Sequence, residues 1–212
     1  MAKAIIFDLD GVLVDSKEIH FNALNLALSD ADPKFVISQQ EQSSIFEGLT
    51  TRSKLGILTQ IKGLSRDEHD TIWKSKQQYS SAMFASVSID KELISLLKLI
   101  KSSGIKIGVA SNSIRSTLDG CLKALGVYQY VDYSLSNEDV KTPKPNPEIY
   151  FKCMDYFKTE PEDAVIFEDS NIGIAAATAS GAKVVVVKNR SDLTFDKVVD
   201  SIDYLLENNI NV

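Results

Sequence analysis

Ala4-Ile5-Ile6-Phe7 is a short apolar run that stops at Asp8-Leu9-Asp10-Gly11. An uninterrupted apolar run closed by polar turn residues is the pattern of a parallel strand buried on both faces. Asp8 and Asp10 therefore fall at its carboxyl end. Three more runs repeat the pattern. Ile105-Lys106-Ile107-Gly108-Val109-Ala110 ends at Ser111-Asn112-Ser113, Ala164-Val165-Ile166-Phe167 ends at Glu168-Asp169-Ser170, and Ala182-Lys183-Val184-Val185-Val186-Val187 follows. Helical spacing fills the intervals: Leu93, Leu96, Leu97 and Ile100 run from Asp90 as N-cap to a stop at Gly104, and Leu118, Cys121, Leu122 and Leu125 precede Gly126. Asn146-Pro147 opens a further helix, and the alanine-rich segment 172–180 stops at Gly181. This alternation predicts an α/β fold, a parallel sheet with helices on both faces. Such sheets bind ligands at the carboxyl ends of their strands, where three of the four runs end in acidic or hydroxyl residues.

Residues 16–88 break the alternation, with several helical patterns and no strand signal. They read as an inserted α-helical cap, leaving 1–15 and 89–212 as the core. Asp15 with Glu18, and Ser65 with Glu68, have the spacing of capping boxes at the starts of cap helices. A chain of 212 residues has room for a core and a small insert, and its 44% apolar and 25% charged content excludes disordered, collagen-like and disulfide-scaffold classes. The balance of 23 basic and 29 acidic residues, 23 − 29 = −6, argues against nucleic acid or an anionic membrane as partner. An anionic substrate must then be captured by local groups. Cys121 and Cys153 form neither a disulfide framework nor a zinc spacing, which points to the reducing cytoplasm. No apolar stretch approaches the ~20 residues that span a bilayer, and the amino terminus runs straight into a strand-like segment rather than a signal peptide. The expected assembly is a monomer or weak dimer.

Asp8 and Asp10 alternate along a strand end and so point to one side, an arrangement that suits a nucleophile with an acid/base partner. Read singly, the Asp-x-Asp-Gly turn is also a common helix cap. Glu168-Asp169 ends a second buried strand, and gathering these carboxylates at one sheet edge costs about 4 kcal/mol per close pair at an effective dielectric of about 20. A divalent cation would relieve that repulsion, and oxygen-only ligands select a hard ion such as Mg²⁺ over zinc. The Ser111 hydroxyl and nearby amides can hold a phosphoryl oxygen. Lys144, in Lys144-Pro145-Asn146-Pro147-Glu148, sits in a loop restricted by two prolines, where its ammonium can neutralise phosphate and carboxylates; Lys141 competes for that role.

In order and type these motifs resemble the haloacid dehalogenase-like superfamily, in particular its phosphatase and phosphomutase branch, which has a Rossmann-like core and a small helical cap. The segments that carry the resemblance are Asp8-Leu9-Asp10-Gly11-Val12-Leu13-Val14-Asp15-Ser16, then Ser111, then Lys144-Pro145 with Pro147, then Glu168-Asp169-Ser170. By that resemblance Asp8 attacks phosphorus to form an aspartyl-phosphate, and Asp10 protonates the leaving oxygen and then deprotonates the incoming nucleophile. The second Asp disfavours a dehalogenase. The resemblance also implies Mg²⁺ held by Asp8, Asp169 and the main-chain carbonyl of Asp10, with Glu168 as a more distant or alternative ligand. Ser111 and Lys144 would bind the transferring phosphoryl group.

The cap is expected to choose the substrate. His20 follows the second Asp at the spacing found in β-phosphoglucomutases, Arg52 lies after Glu47-Gly48-Leu49-Thr50-Thr51 in a loop where a guanidinium can hold a second phosphate, and Lys76 lies in a segment similar to the mutase cap. Asn112, Ser113 and Arg115 are placed to touch the leaving group, whereas Ile114 stands where a mutase has a phosphate-binding lysine. The expected enzyme is a Mg²⁺-dependent phosphatase of a small phosphorylated metabolite, such as a sugar phosphate; the alternative is a β-phosphoglucomutase-like phosphomutase.

Overall fold

The computed structural model describes residues 2–46 and 49–207. In chain order they form β1 (Ala4–Phe7), α1 (Lys17–Ala31), the short turn α2 (Gln39–Glu41), α3 (Thr51–Lys62), α4 (His69–Ala85), α5 (Lys91–Ser102), β2 (Lys106–Ala110), α6 (Arg115–Ala124), β3 (Tyr133–Leu135), α7 (Glu148–Phe157), β4 (Ala164–Glu168), α8 (Asn171–Ala179), β5 (Lys183–Val186) and α9 (Phe195–Glu207). The chain divides into two compact units, Met1–Ser16 with Val87–Val212, and Lys17–Ser86.

The first unit is a five-stranded sheet in the order β3-β2-β1-β4-β5, parallel throughout. Strands β1 and β4 are buried along their whole length, as continuous apolar runs require. Alternate residues serve opposite faces. Ala4 and Ile6 join the Ile149, Tyr150, Cys153, Met154 and Ala176 cluster under α7 and α8, while α5 and α9 pack together and onto the sheet. Successive strands run outward from β1 to β3 and then return to its other side at β4. The carboxyl end of β1 thus lies where the strand order reverses, the position at which open sheets of this kind bind ligands. Asp90 caps α5 by accepting the Leu93 N–H at 2.8 Å, and Gly104, at φ +75°, ends its last turn. The strand β3 has no counterpart in the apolar pattern, because it is three residues long and half-exposed at the sheet edge.

The second unit packs α1, α3 and α4 around Leu24, Leu28, Phe35, Phe46, Leu55, Leu58 and Ile72. Its caps differ from the expected ones. Ser65 caps a single 3-10 turn by accepting from Asp67 N–H, and Glu68 leads into α4 without a side-chain cap; the capping box of this unit is Ser38 with Glu41. In the first unit, the Asp15 carboxylate accepts the Arg190 main-chain N–H at 2.9 Å. Among the described residues no helix is long and apolar enough to cross a membrane.

Candidate active site

At the end of β1 the Asp8 N–H still pairs with the Phe167 carbonyl at 3.0 Å, which fixes the nucleophile candidate against β4. The chain then turns sharply: Gly11 donates to the Val14 carbonyl at 2.7 Å with φ +82°. A Cβ at Gly11 would stand 2.0 Å from Asp169 Oδ2, so only glycine admits both this turn and the Asp169 carboxylate above it. The two acidic strand ends are thereby brought together. Carboxylate oxygens of Asp8, Glu168 and Asp169 lie within 4.8 Å of one another.

Lys144 reaches into this group from the loop before α7, with its side chain only 2% exposed. Its ammonium donates to Asp8 Oδ1 at 2.7 Å, Glu168 Oε1 at 2.6 Å and the Ala110 carbonyl at 2.8 Å, which uses all three of its protons. Lys141, by contrast, is exposed. Glu168 is fully buried and accepts five hydrogen bonds. Lys144 and the Tyr150 hydroxyl (2.7 Å) share Oε1, and Asp169 N–H (3.0 Å), Ser170 N–H (3.3 Å) and Ser170 Oγ (3.3 Å) approach Oε2. Two of those donors open α8, where the helix dipole also favours a carboxylate. The Tyr150 ring stands 4.9 Å from the Lys144 ammonium, adding a cation–π contact.

One ammonium thus serves two buried carboxylates, and negative charge is in excess. Burial pushes the Asp8 carboxyl well above its ordinary value; Lys144 opposes this, and Glu168 and Asp10 add to it. For Lys144, burial alone would lower the pKa, but the Asp8 and Glu168 charges outweigh it and hold the ammonium charged. Burial, followed by the Glu168 and Asp8 charges, keeps the Tyr150 phenol protonated as a donor. The excess charge and the all-oxygen donor set of Asp8, Glu168 and Asp169 fit a hard divalent cation.

The turn after β2 faces the same cluster. Ser111 is fully buried, and its Oγ accepts the Ser113 N–H at 2.9 Å, leaving its own proton to donate. The Ser113 hydroxyl donates to Asp10 Oδ2 at 2.8 Å, and the Asn112 amide bonds to the main chain of Lys144. Arg115 donates to the Ser134 hydroxyl and carbonyl and pairs with Asp139, so its guanidinium is committed within the core. In the second unit, His20 Nδ1 and Lys76 Nζ are 3.1 Å apart, with the imidazole edge-on to Phe84. Arg52, largely exposed, lies 3.4 Å from Asp70 and 5.4 Å from the Trp73 ring. Gly48 lies outside the described residues. Tyr150 escaped the sequence reading because its helical spacing with Ile149, Cys153 and Phe157 marks it as core. A buried tyrosine six residues after the lysine was the available signal, since its hydroxyl must find a partner.

A family model described as haloacid dehalogenase-like hydrolase matches residues 5–187. The chain belongs to this family. The hydrolase is 27% identical over 180 residues to the phosphorylated carbohydrates phosphatase of Thermotoga maritima, covering 84% of this chain and 82% of that one. It is also 27% identical over 192 residues to the phosphoglycolate phosphatase of Rhodospirillum rubrum, covering 88% and 80%. Its fold matches that of a β-phosphoglucomutase from Clostridium difficile with a TM-score of 0.75 at 23% identity, over 98% of this chain and 100% of the other.

Proposed function

We propose that this hydrolase is a Mg²⁺-dependent phosphatase that hydrolyses a small phosphate monoester, such as a sugar phosphate, through a phosphorylated Asp8. The observation that carries this reading is the buried Lys144 ammonium bonded to both Asp8 and Glu168 beside Asp169. The Lys144 bond to Asp8 Oδ1 fixes the carboxylate plane and leaves Oδ2 to form the bond to phosphorus while the bond from phosphorus to the leaving oxygen breaks. Asp10, oriented by the Ser113 hydroxyl, gives its proton to the leaving oxygen. Asp10 then takes a proton from water, whose oxygen attacks phosphorus to release phosphate and restore Asp8. The Ser111 hydroxyl donates to a phosphoryl oxygen. Lys144 acts chiefly through its charge, because its three protons are already engaged. With five donors on its two oxygens, Glu168 serves mainly to hold Lys144 charged and in place. Asp8, Asp169 and the Asp10 carbonyl would hold Mg²⁺, which supplies neutralisation of the clustered carboxylates and of the phosphoryl charge.

The two relatives named as phosphatases of small phosphorylated compounds support this substrate class. A cytoplasmic setting is supported by the two cysteines, both free and buried. The phosphomutase reading uses the same Asp8 chemistry, and the adjacent His20 and Lys76 side chains favour it as the alternative. One experiment separates them: phosphate release with Mg²⁺ across a panel of small monoesters, beside isomerisation of β-glucose 1-phosphate primed with the bisphosphate. Rapid release that is lost in Asp8→Asn is the expected result. Isomerisation with little release would replace the phosphatase by the mutase.

A further inference from the structure

We propose that Asn112 is a positioning residue that acts on the reaction through Lys144, by fixing the peptide from which the ammonium extends. Both ends of its side-chain amide are spent on that one residue. Oδ1 accepts the Lys144 N–H at 3.1 Å, and Nδ2 donates to the Lys144 carbonyl at 3.3 Å. The Lys144 N–H and carbonyl belong to the peptide units on either side of its Cα, so a two-point grip sets the orientation of that backbone as well as its position, and it requires one acceptor and one donor an amide's width apart. Asparagine meets that need at this reach, whereas aspartate offers only acceptors.

The grip matters because, within a loop that two prolines restrict, it holds the main chain of Lys144 itself. Residues 140–147 form no helix or strand, and among the described residues no other hydrogen bond uses the Lys144 N–H or carbonyl. The rest of the loop is tied by the Glu148 carboxylate, which accepts the Lys141 and Thr142 N–H groups, and by a turn in which the Asn146 N–H donates to the Pro143 carbonyl across Lys144 and Pro145. The ammonium beyond makes three contacts of 2.6 to 2.8 Å with no proton to spare, so a shift of the peptide trades one partner against another. Three consecutive residues after β2 therefore divide the work. Ser111 offers its hydroxyl to the phosphoryl site, Asn112 places Lys144, and Ser113 orients Asp10. The turn sets the register of the ammonium against the acid/base.

This inference rests on the phosphatase reading, so its test includes a readout that needs no turnover. Asn112→Ala and Asn112→Asp are assayed with Mg²⁺ on monoesters whose leaving groups range from sugars to simple aryl alcohols. Inorganic phosphate binding is measured by calorimetry in the native chain, in Asn112→Ala, and in both Lys144→Gln and Lys144→Arg backgrounds, either of which suffices if the other fails to fold. The expected result is a loss in kcat/KM of about 10-fold or more, the same for every leaving group, with Asp no better than Ala. Phosphate affinity should fall in Asn112→Ala and change less than about 2-fold on removing Asn112 once Lys144 is replaced. A loss confined to some leaving groups would make Asn112 a substrate contact. Independent, multiplying effects of the two sites on phosphate affinity would make it a general stabiliser; either result overturns the proposal. Absence of phosphate release by the native chain would overturn the phosphatase reading alone, and the calorimetric cycle would still decide the role of Asn112.

Discussion

Gly173 lies in the first turn of α8 with ordinary helical backbone, where replacing glycine by alanine normally stabilises a helix by up to about 1 kcal/mol. The site predicts the opposite sign. A Cβ there would stand 1.9 Å from Glu168 Oε1 and 2.1 Å from Oε2, so the whole carboxylate must recede by about 1.5 Å to reach ordinary contact near 3.4 Å. Its bonds to Lys144 and Tyr150, now 2.6 and 2.7 Å, cannot survive that shift. Breaking a buried ion pair costs about 3–5 kcal/mol, and offsetting it by the helix preference leaves a destabilisation of about 2–4 kcal/mol. For a chain of 212 residues this is a fall in Tm of roughly 4–16 °C, with turnover lost as Lys144 is released. Gly120→Ala is the control: nothing lies within 4 Å of its Cβ, and helix preference alone should raise Tm by roughly 2–4 °C. Thermal melts with phosphate-release assays on both variants decide the matter. If Gly173→Ala melts at or above the native temperature with undiminished turnover, Glu168 does not hold Lys144 in the way its hydrogen bonds imply.

Tyr150→Phe keeps the ring over Lys144 but removes a donor from buried Glu168, and denaturant unfolding should show a loss of about 1–3 kcal/mol; unchanged stability would mean that the hydroxyl contributes nothing. Arg52→Ala should raise KM by roughly 10-fold for a favoured sugar phosphate and much less for a featureless aryl phosphate, and equal effects would refute a role in reading the leaving group. Hydrogen bonds from Ser38 N–H, then from Lys62 and the Ser38 hydroxyl, lower the Glu41 carboxyl from 4.5 to about 2. A folded-state pKa below the unfolded one means that Glu41 contributes stability above pH 4.5 and loses it as the pH falls toward 2. An NMR titration of Glu41 with a midpoint near 4.5 would contradict the capping box that places it.

The fold was legible wherever burial on both faces wrote an unbroken apolar run. Strands β1 and β4 are the clearest cases, and the chemistry follows each run directly, as Asp8 and as Glu168-Asp169. Edge strand β3 carried no such signal, since three residues half-open to solvent need not be apolar. Residue types in the site were readable, but their partners were not. Lys144 meets Asp8 across 136 positions and Glu168 across 24, and only the folded sheet sets those distances. The same limit applies to Asp15, whose carboxylate accepts the Arg190 N–H across 175 positions. It also hides the partners of Asn112 and Ser113, whose side chains bond to Lys144 and Asp10 at 32 and 103 positions' distance. Tyr150 was hidden in an ordinary core pattern, because helical spacing reports burial and is silent about where a hydroxyl points.

Asp8 as the group that accepts the phosphoryl is tested most directly by acid-quenching the Mg²⁺-loaded protein during turnover of its best monoester and mapping the modified peptide by mass. A phosphoryl group on Asp8, formed within one turnover and absent from Asp8→Asn, is the predicted result. Steady phosphate release with Asp8 unmodified, or undiminished in Asp8→Asn, would contradict it.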